Sequence, residues 1–76
     1  MGTHKITTLW DWEAERIAEE IRWESIRRAS GVVMDQEGRS LTVSGLNWKL
    51  KRRDVRAICD RIHVRHAWLD GVQVFR

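Results

Sequence analysis

The chain has one cysteine, one phenylalanine, no tyrosine and no proline. A single cysteine excludes an intramolecular disulfide, and with it the class of small secreted scaffolds stapled by several bridges. No apolar run approaches the length of a membrane span, and the opening residues lack the apolar stretch of a signal peptide. Together these predict a soluble chain with a reduced thiol, suited to a cytoplasmic setting. There is no glycine-rich phosphate loop, and Ser30, Ser40 and Ser44 lie at element ends or beside a turn, outside any nucleophile-elbow context. Cys59 and His63 stand four apart with His66 close behind, a spacing zinc can use, but a fourth ligand is missing. No catalytic residue, metal or cofactor is expected, and no small-molecule substrate is inferred.

What is present is a short, highly charged chain. Its 76 residues allow one domain (1–76), of which residues 1–4 read as an expression remnant outside the ordered part. Hydrophobic residues at 42% and charged residues at 33% make a globular rather than a disordered composition. Five tryptophans beside one phenylalanine is a skewed aromatic set for so small a natural domain, and points to a designed or redesigned sequence. The net charge of +3 is unevenly spread: residues 1–38 carry five Lys/Arg against eight Asp/Glu, and residues 39–76 carry nine against three. Such halves can attract each other within one fold or act on a polyanion.

The longest helix-period segment is Trp10–Ala29, and it has two apolar faces. At about 100° per residue, Trp10, Ala14, Ile17, Ala18, Ile21 and Ser25 fall in one band. Trp12, Trp23 and Ile26 fall on the opposite side. Asp11, with Glu13 and Glu15 in the first turn, suits the helix start, and Ser30-Gly31 suits its end. The preceding residues His4–Leu9 predict a short strand, with Thr8 as an alternative helix cap.

Residues 32–44 predict a hairpin turning at Glu37-Gly38. Val32, Met34, Leu41 and Val43 then share one face, with Val33, Asp35, Ser40 and Thr42 on the other. Asn47 reads as the cap of a second helix from Trp48 to about His63, with Trp48, Val55, Ile58, Cys59 and Ile62 as its apolar stripe. Asp70-Gly71 marks a last hairpin, with Ala67, Leu69, Val72 and Val74 facing a core and His66, Trp68, Gln73 and Phe75 facing away. The alternative is a single strand over 64–69 with a short tail. The expected core is Ile17, Ile21, Val32, Met34, Leu41, Val43, Val55, Ile58, Ile62, Leu69 and Val72.

The order strand–helix–strand–strand–helix–strand over residues 5–69 resembles the α/β-plait, or ferredoxin-like, architecture. That resemblance implies a two-layer α+β sandwich, βαββαβ, with two helices on one face of an antiparallel sheet and an optional extra strand at the end. It rests on topology alone and carries over no functional residue.

Two surfaces stand out. Trp12, Trp23 and Ile26 on one exposed helix face suggest a covered surface, and the simplest partner is a second copy of the chain. The basic residues Lys49, Arg52, Arg53, Arg56 and Arg65, with His66, Trp68 and Phe75 available for stacking, form a candidate nucleic-acid surface. The blander reading makes the basic residues a solvated flank that complements the acidic first helix. The sequence therefore predicts a non-enzymatic, self-associating α+β scaffold. Its alternative is a basic nucleic-acid-binding module built on the second helix and the C-terminal strands.

Overall fold

The structure, a computed structural model, describes residues 2–75. Its order is β1 (His4–Thr8), α1 (Asp11–Arg27), β2 (Val33–Glu37), β3 (Ser40–Ser44), α2 (Arg52–Ile62), β4 (Ala67–Leu69) and β5 (Val72–Gln73). The strands form one sheet in the order β2-β3-β1-β4-β5, every neighbouring pair antiparallel. Two helices pack on this sheet, giving a small α+β fold. No helix of the described residues is long and apolar enough to cross a membrane.

The central strand β1 explains much of the core. Ile6 pairs with Leu41 on one side and Leu69 on the other, and Thr8 pairs with Ala67. Because strand side chains alternate, these residues share the face that the helices cover. Ile6 and Thr8 are fully buried, and the Thr8 hydroxyl donates to the Trp10 carbonyl at 2.7 Å. That bond satisfies a polar group that would otherwise be costly inside. His4 opens β1, where the strand expected over His4–Leu9 begins, and its Nδ1 lies 2.8 Å from Asp70 Oδ2. The other Asp70 oxygen accepts the Lys5 amide at 2.9 Å, so the last turn is fastened to the first strand.

In α1, Ala14, Ile17, Ile21 and Ser25 are buried, as the helical period predicts. Trp10 is a correction: it precedes the helix as its N-cap in extended conformation and stays exposed. Its amide is taken by Glu13 Oε1 at 3.3 Å, closing the first turn from within. The helix ends differently from expectation as well. Ala29, not Ser30-Gly31, adopts the left-handed conformation (φ 52°), while Ser30 N donates to Ser25 O at 2.8 Å and Ala29 N to Ile26 O at 3.1 Å. This is the paired bonding of a Schellman ending with alanine where glycine is usual.

The first hairpin turns one residue later than expected, at Gly38-Arg39, so Met34 pairs with Val43 and Gln36 with Leu41. Gly38 has φ 61°, the positive value that a tight hairpin needs at its first turn position. The change shifts the sum of the paired positions by two, which leaves every side chain on its expected face.

The second helix is shorter than predicted. Residues 48–51 are not helical: Leu46 and Leu50 reach into the core from a bent loop, and Trp48 is half-buried between them in sequence. Asn47 caps no helix. Its amide N–H donates to Ser30 Oγ at 3.0 Å and its side chain to Ala29 O at 3.3 Å, tying this loop to the end of α1. The helix starts after Lys51, whose amide is accepted by Asp54 Oδ2 at 2.9 Å. It ends at His63, which takes the left-handed conformation, with Val64 N bonded to Cys59 O.

The last hairpin follows the prediction at its turn, with Asp70 and Gly71 both at positive φ and Leu69 paired with Val72. Val72, however, is 51% exposed. It lies on the two-residue edge strand β5, beyond the reach of either helix. Ile17, Ile21, Leu41, Val43, Val55, Ile58 and Leu69 are buried together as expected, while Val32, Met34 and Ile62 only border the core. Ile6, Cys59, Leu46, Leu50, Val64, Ala67 and Val74 complete it.

Candidate self-association surface and basic cleft

The helical period that sends Ile17 and Ile21 inward turns Trp12, Trp23 and Ile26 outward on α1. They are 53%, 59% and 61% exposed, more than half of each side chain in contact with water. Between them on the same strip lie Arg16 and Glu19, whose Nε and Oε1 are 3.7 Å apart, both well exposed. The three residues expected to form an interface are therefore together on one outer face, and no other part of the described chain covers them. Folding alone leaves this apolar area exposed.

The C-terminal half of α1 faces α2 across a cleft of about 160 Å³ lined by Glu24, Arg28, Trp48, Asp54, Ala57, Ile58 and Arg61. Of its charged lining residues, Glu24, Arg28 and Arg61 are ion-paired, and Asp54 accepts the Lys51 amide. Glu24 receives Arg27 at 2.7 Å and Arg28 at 3.0 Å, and these two guanidinium groups hold its carboxyl below the ordinary range. Arg28 also lies 4.0 Å from the centre of the Trp48 ring, a cation–π contact. Arg61 crosses to Glu20 at 2.8 Å and is the one ion pair between the helices among the described residues. The Trp48 ring N–H and the Ser25 hydroxyl are buried without partners in this region.

The basic candidates scatter. Lys49, Lys51, Arg52 and Arg53 are exposed along the loop before α2 and its first turn. Arg56, Arg65 and Phe75 gather with Cys59, Asp60, His63 and Val64 around a second cleft of about 300 Å³. There the Arg56 guanidinium lies 5.6 Å from the Phe75 ring centre. Among the described residues none of these cations is in an ion pair, so the acidic first helix neutralises none of them by direct contact. The aromatic face expected from His66, Trp68, Gln73 and Phe75 does not hold together. Trp68 pairs with Thr7 and Gln73 on the face away from the helices, whereas Phe75 packs against the core beside α2. The strand ends at Gln73, so the alternation that would have kept Phe75 beside Trp68 stops first. His66 is exposed just before β4.

Cys59 is wholly buried, and that burial, with the negative charges of Asp60 and Glu13 added, pushes its thiol up to about 12. A thiol so seldom ionised is a poor nucleophile and a poor ligand. Among the described residues no three His, Cys, Asp or Glu side chains converge as a metal site would require. The Asp70 clamp was not singled out in the sequence, although an aspartate opening a tight turn is a usual acceptor for nearby backbone amides. Burial raises the Asp70 carboxyl, but the hydrogen bonds from His4 and the Lys5 amide outweigh it, and the net effect is a lowering.

No protein-family model matches the sequence, and neither the curated proteins nor the solved structures yield a match.

Proposed function

We propose that this chain is a non-enzymatic α+β scaffold that associates with a second copy of itself through the outer face of α1. The observation that carries the reading is the cluster of Trp12, Trp23 and Ile26, each more than half exposed on a single helix face. Tryptophan is among the residues most favoured at interface centres, and a patch of this kind is most simply covered by a two-fold copy. The element order and the sheet order β2-β3-β1-β4 support a plait-type scaffold with β5 added at its edge. The skewed aromatic set supports a designed origin, and the buried, reduced thiol suits a cytoplasmic setting. The test is the double substitution Trp12→Glu with Trp23→Glu. It should abolish association while leaving the far-ultraviolet circular dichroism spectrum and the cooperative melt in place, because neither side chain reaches the core. A double variant that still associates like the parent would refute the assignment of this face.

A second reading is favoured by the unpaired cations Lys49, Lys51, Arg52, Arg53, Arg56 and Arg65: binding of a nucleic-acid strand along α2 and past the cleft beside Phe75. It predicts retardation of single-stranded DNA or RNA with a steep salt dependence. Arg52→Gln, Arg53→Gln and Arg56→Gln together should flatten that slope by about one unit per lost phosphate contact. No binding at low salt removes this reading.

A further inference from the structure

The outer strip of α1 carries more information than its apolar content. Trp12, Arg16, Glu19, Trp23 and Ile26 recur at spacings of four, three, four and three residues, the repeat by which one helix meets another along a seam. They occupy roughly 80° of the helix circumference, on the side opposite the buried Ala14, Ile17 and Ile21. Along that seam the order is apolar, basic, acidic, apolar, apolar. The order decides how two copies can meet.

We infer that two copies pair along this seam with their α1 helices antiparallel, the two-fold axis passing between Ile17 and Ala18. The inference rests on the self-association proposed above and fixes its geometry. In that register Trp12 of one copy faces Trp23 of the other, and Arg16 faces Glu19, each twice by symmetry. Beside the seam Glu15 lies on the same flank as Arg22 of the second copy, offset from it by two residues or about 3 Å along the axis, within reach of two flexible side chains of opposite charge. The parallel alternative puts Arg16 against Arg16 and Glu19 against Glu19, like charges at the centre of a partly dehydrated contact. The intramolecular Arg16–Glu19 contact at 3.7 Å is long for a charged hydrogen bond, so exchanging it for an intermolecular pair gives up little. A 17-residue helix is about 25 Å long. One such helix pair falls short of the roughly 1,600 Å² of a standard interface, so the dimer is of micromolar strength rather than obligate.

The experiment uses disulfide trapping, to which the buried Cys59 contributes no background. The mass of the parent is first measured by sedimentation equilibrium up to about 1 mM. Trp12→Cys and Trp23→Cys variants are then oxidised gently, separately and as an equimolar mixture, above the dissociation constant. The antiparallel register places position 12 level with position 23 of the second copy, and separates position 12 from its own equivalent by about 16 Å along the axis. The mixture should therefore form a disulfide-linked heterodimer in high yield, and each variant alone should form little. As a second readout, Arg16→Gln should weaken the parent dimer by roughly three- to thirtyfold, since two opposite-charge contacts are lost. In a parallel dimer the same change would strengthen association. A dimeric parent in which Trp12→Cys alone cross-links, or in which no disulfide forms, overturns the register and leaves self-association standing. A parent that is monomeric throughout overturns both.

Discussion

Replacing Ala29 by glycine should stabilise this protein. Ala29 sits at φ 52° where α1 terminates, held there by the Ser30 N to Ser25 O and Ala29 N to Ile26 O bonds. For a residue with a Cβ, the left-handed conformation costs roughly 1–2 kcal/mol, and glycine is free of that cost. Glycine also makes the unfolded chain more flexible, which returns roughly 0.4–1 kcal/mol in the other direction. Ala29 is exposed, so its methyl group contributes no core packing to be lost. The net expectation is a gain of about 0.5–1 kcal/mol. For a domain of this size, that corresponds to a rise of roughly 2–8 °C in Tm. The assay is urea unfolding followed by circular dichroism, with an unchanged slope required so that the midpoint reports stability alone. Gly38→Ala provides the reverse control. Gly38 has φ 61° and a Cβ there would meet nothing within 4 Å, so any loss must come from the backbone conformation itself. If Ala29→Gly lowers the midpoint, or if Gly38→Ala raises it, the argument from left-handed backbone is wrong at these sites.

Other substitutions and conditions test other parts of the account. Ile21 is fully buried under the sheet, and Ile21→Ala should cost about 2–5 kcal/mol in urea unfolding, a large share of the stability of so small a domain. Cys59, with its thiol pushed up to about 12, should stay unmodified by a disulfide reagent at pH 8 in the folded protein and react promptly in denaturant. Glu24 and Asp70 are both lowered from ordinary values of 4.5 and 3.8, so the stability they contribute is fully present above those values. It should be lost as pH falls below about 4.5 and on through the folded-state values, and Glu24→Gln with Asp70→Asn should flatten the midpoint's decline between about pH 5 and 3.

Much of this arrangement can be read from periodicity. The inward face of α1 follows from Ala14, Ile17 and Ile21, and the outward Trp12, Trp23 and Ile26 follow from the same wheel. The faces of the first hairpin survive an error in its turn, because a shift of two in the pairing sum exchanges no side chain between faces. Asp70-Gly71 identifies its own turn through the demand for positive φ at both positions. The start of α2 was not legible for a definite reason. Leu46 and Leu50 lie four apart, as on a helix, yet with Trp48 between them they also alternate as in an extended segment. Periodicity cannot separate these for so short a run. The hydrogen bonds from Asn47 to Ala29 and Ser30 decide it, and they join residues distant in sequence. Phe75 departs from the alternating pattern because β5 ends at Gln73, and Val72 is exposed because alternation predicts only which way a side chain points. Whether a helix lies over it depends on the edge position of β5. Of the candidate sites, the outer α1 strip was readable because all its members share one helix. Arg56, Arg65 and Phe75 stand out in the sequence, but the cleft they form with Cys59, Asp60, His63 and Val64 does not, because tertiary packing draws its members from α2, the loop after it and the chain end.

The proposed dimer joins the outer face of α1 to the same face of a second copy of the chain. Sedimentation equilibrium of the unmodified protein, run from about 5 μM to 500 μM at low and moderate salt, tests it most directly. For a self-associating chain the average mass should climb with concentration from 9.0 kDa towards twice that value, and climb sooner at low salt, where the Arg16–Glu19 contacts between copies are least screened. A mass that stays at 9.0 kDa across the whole range would contradict it.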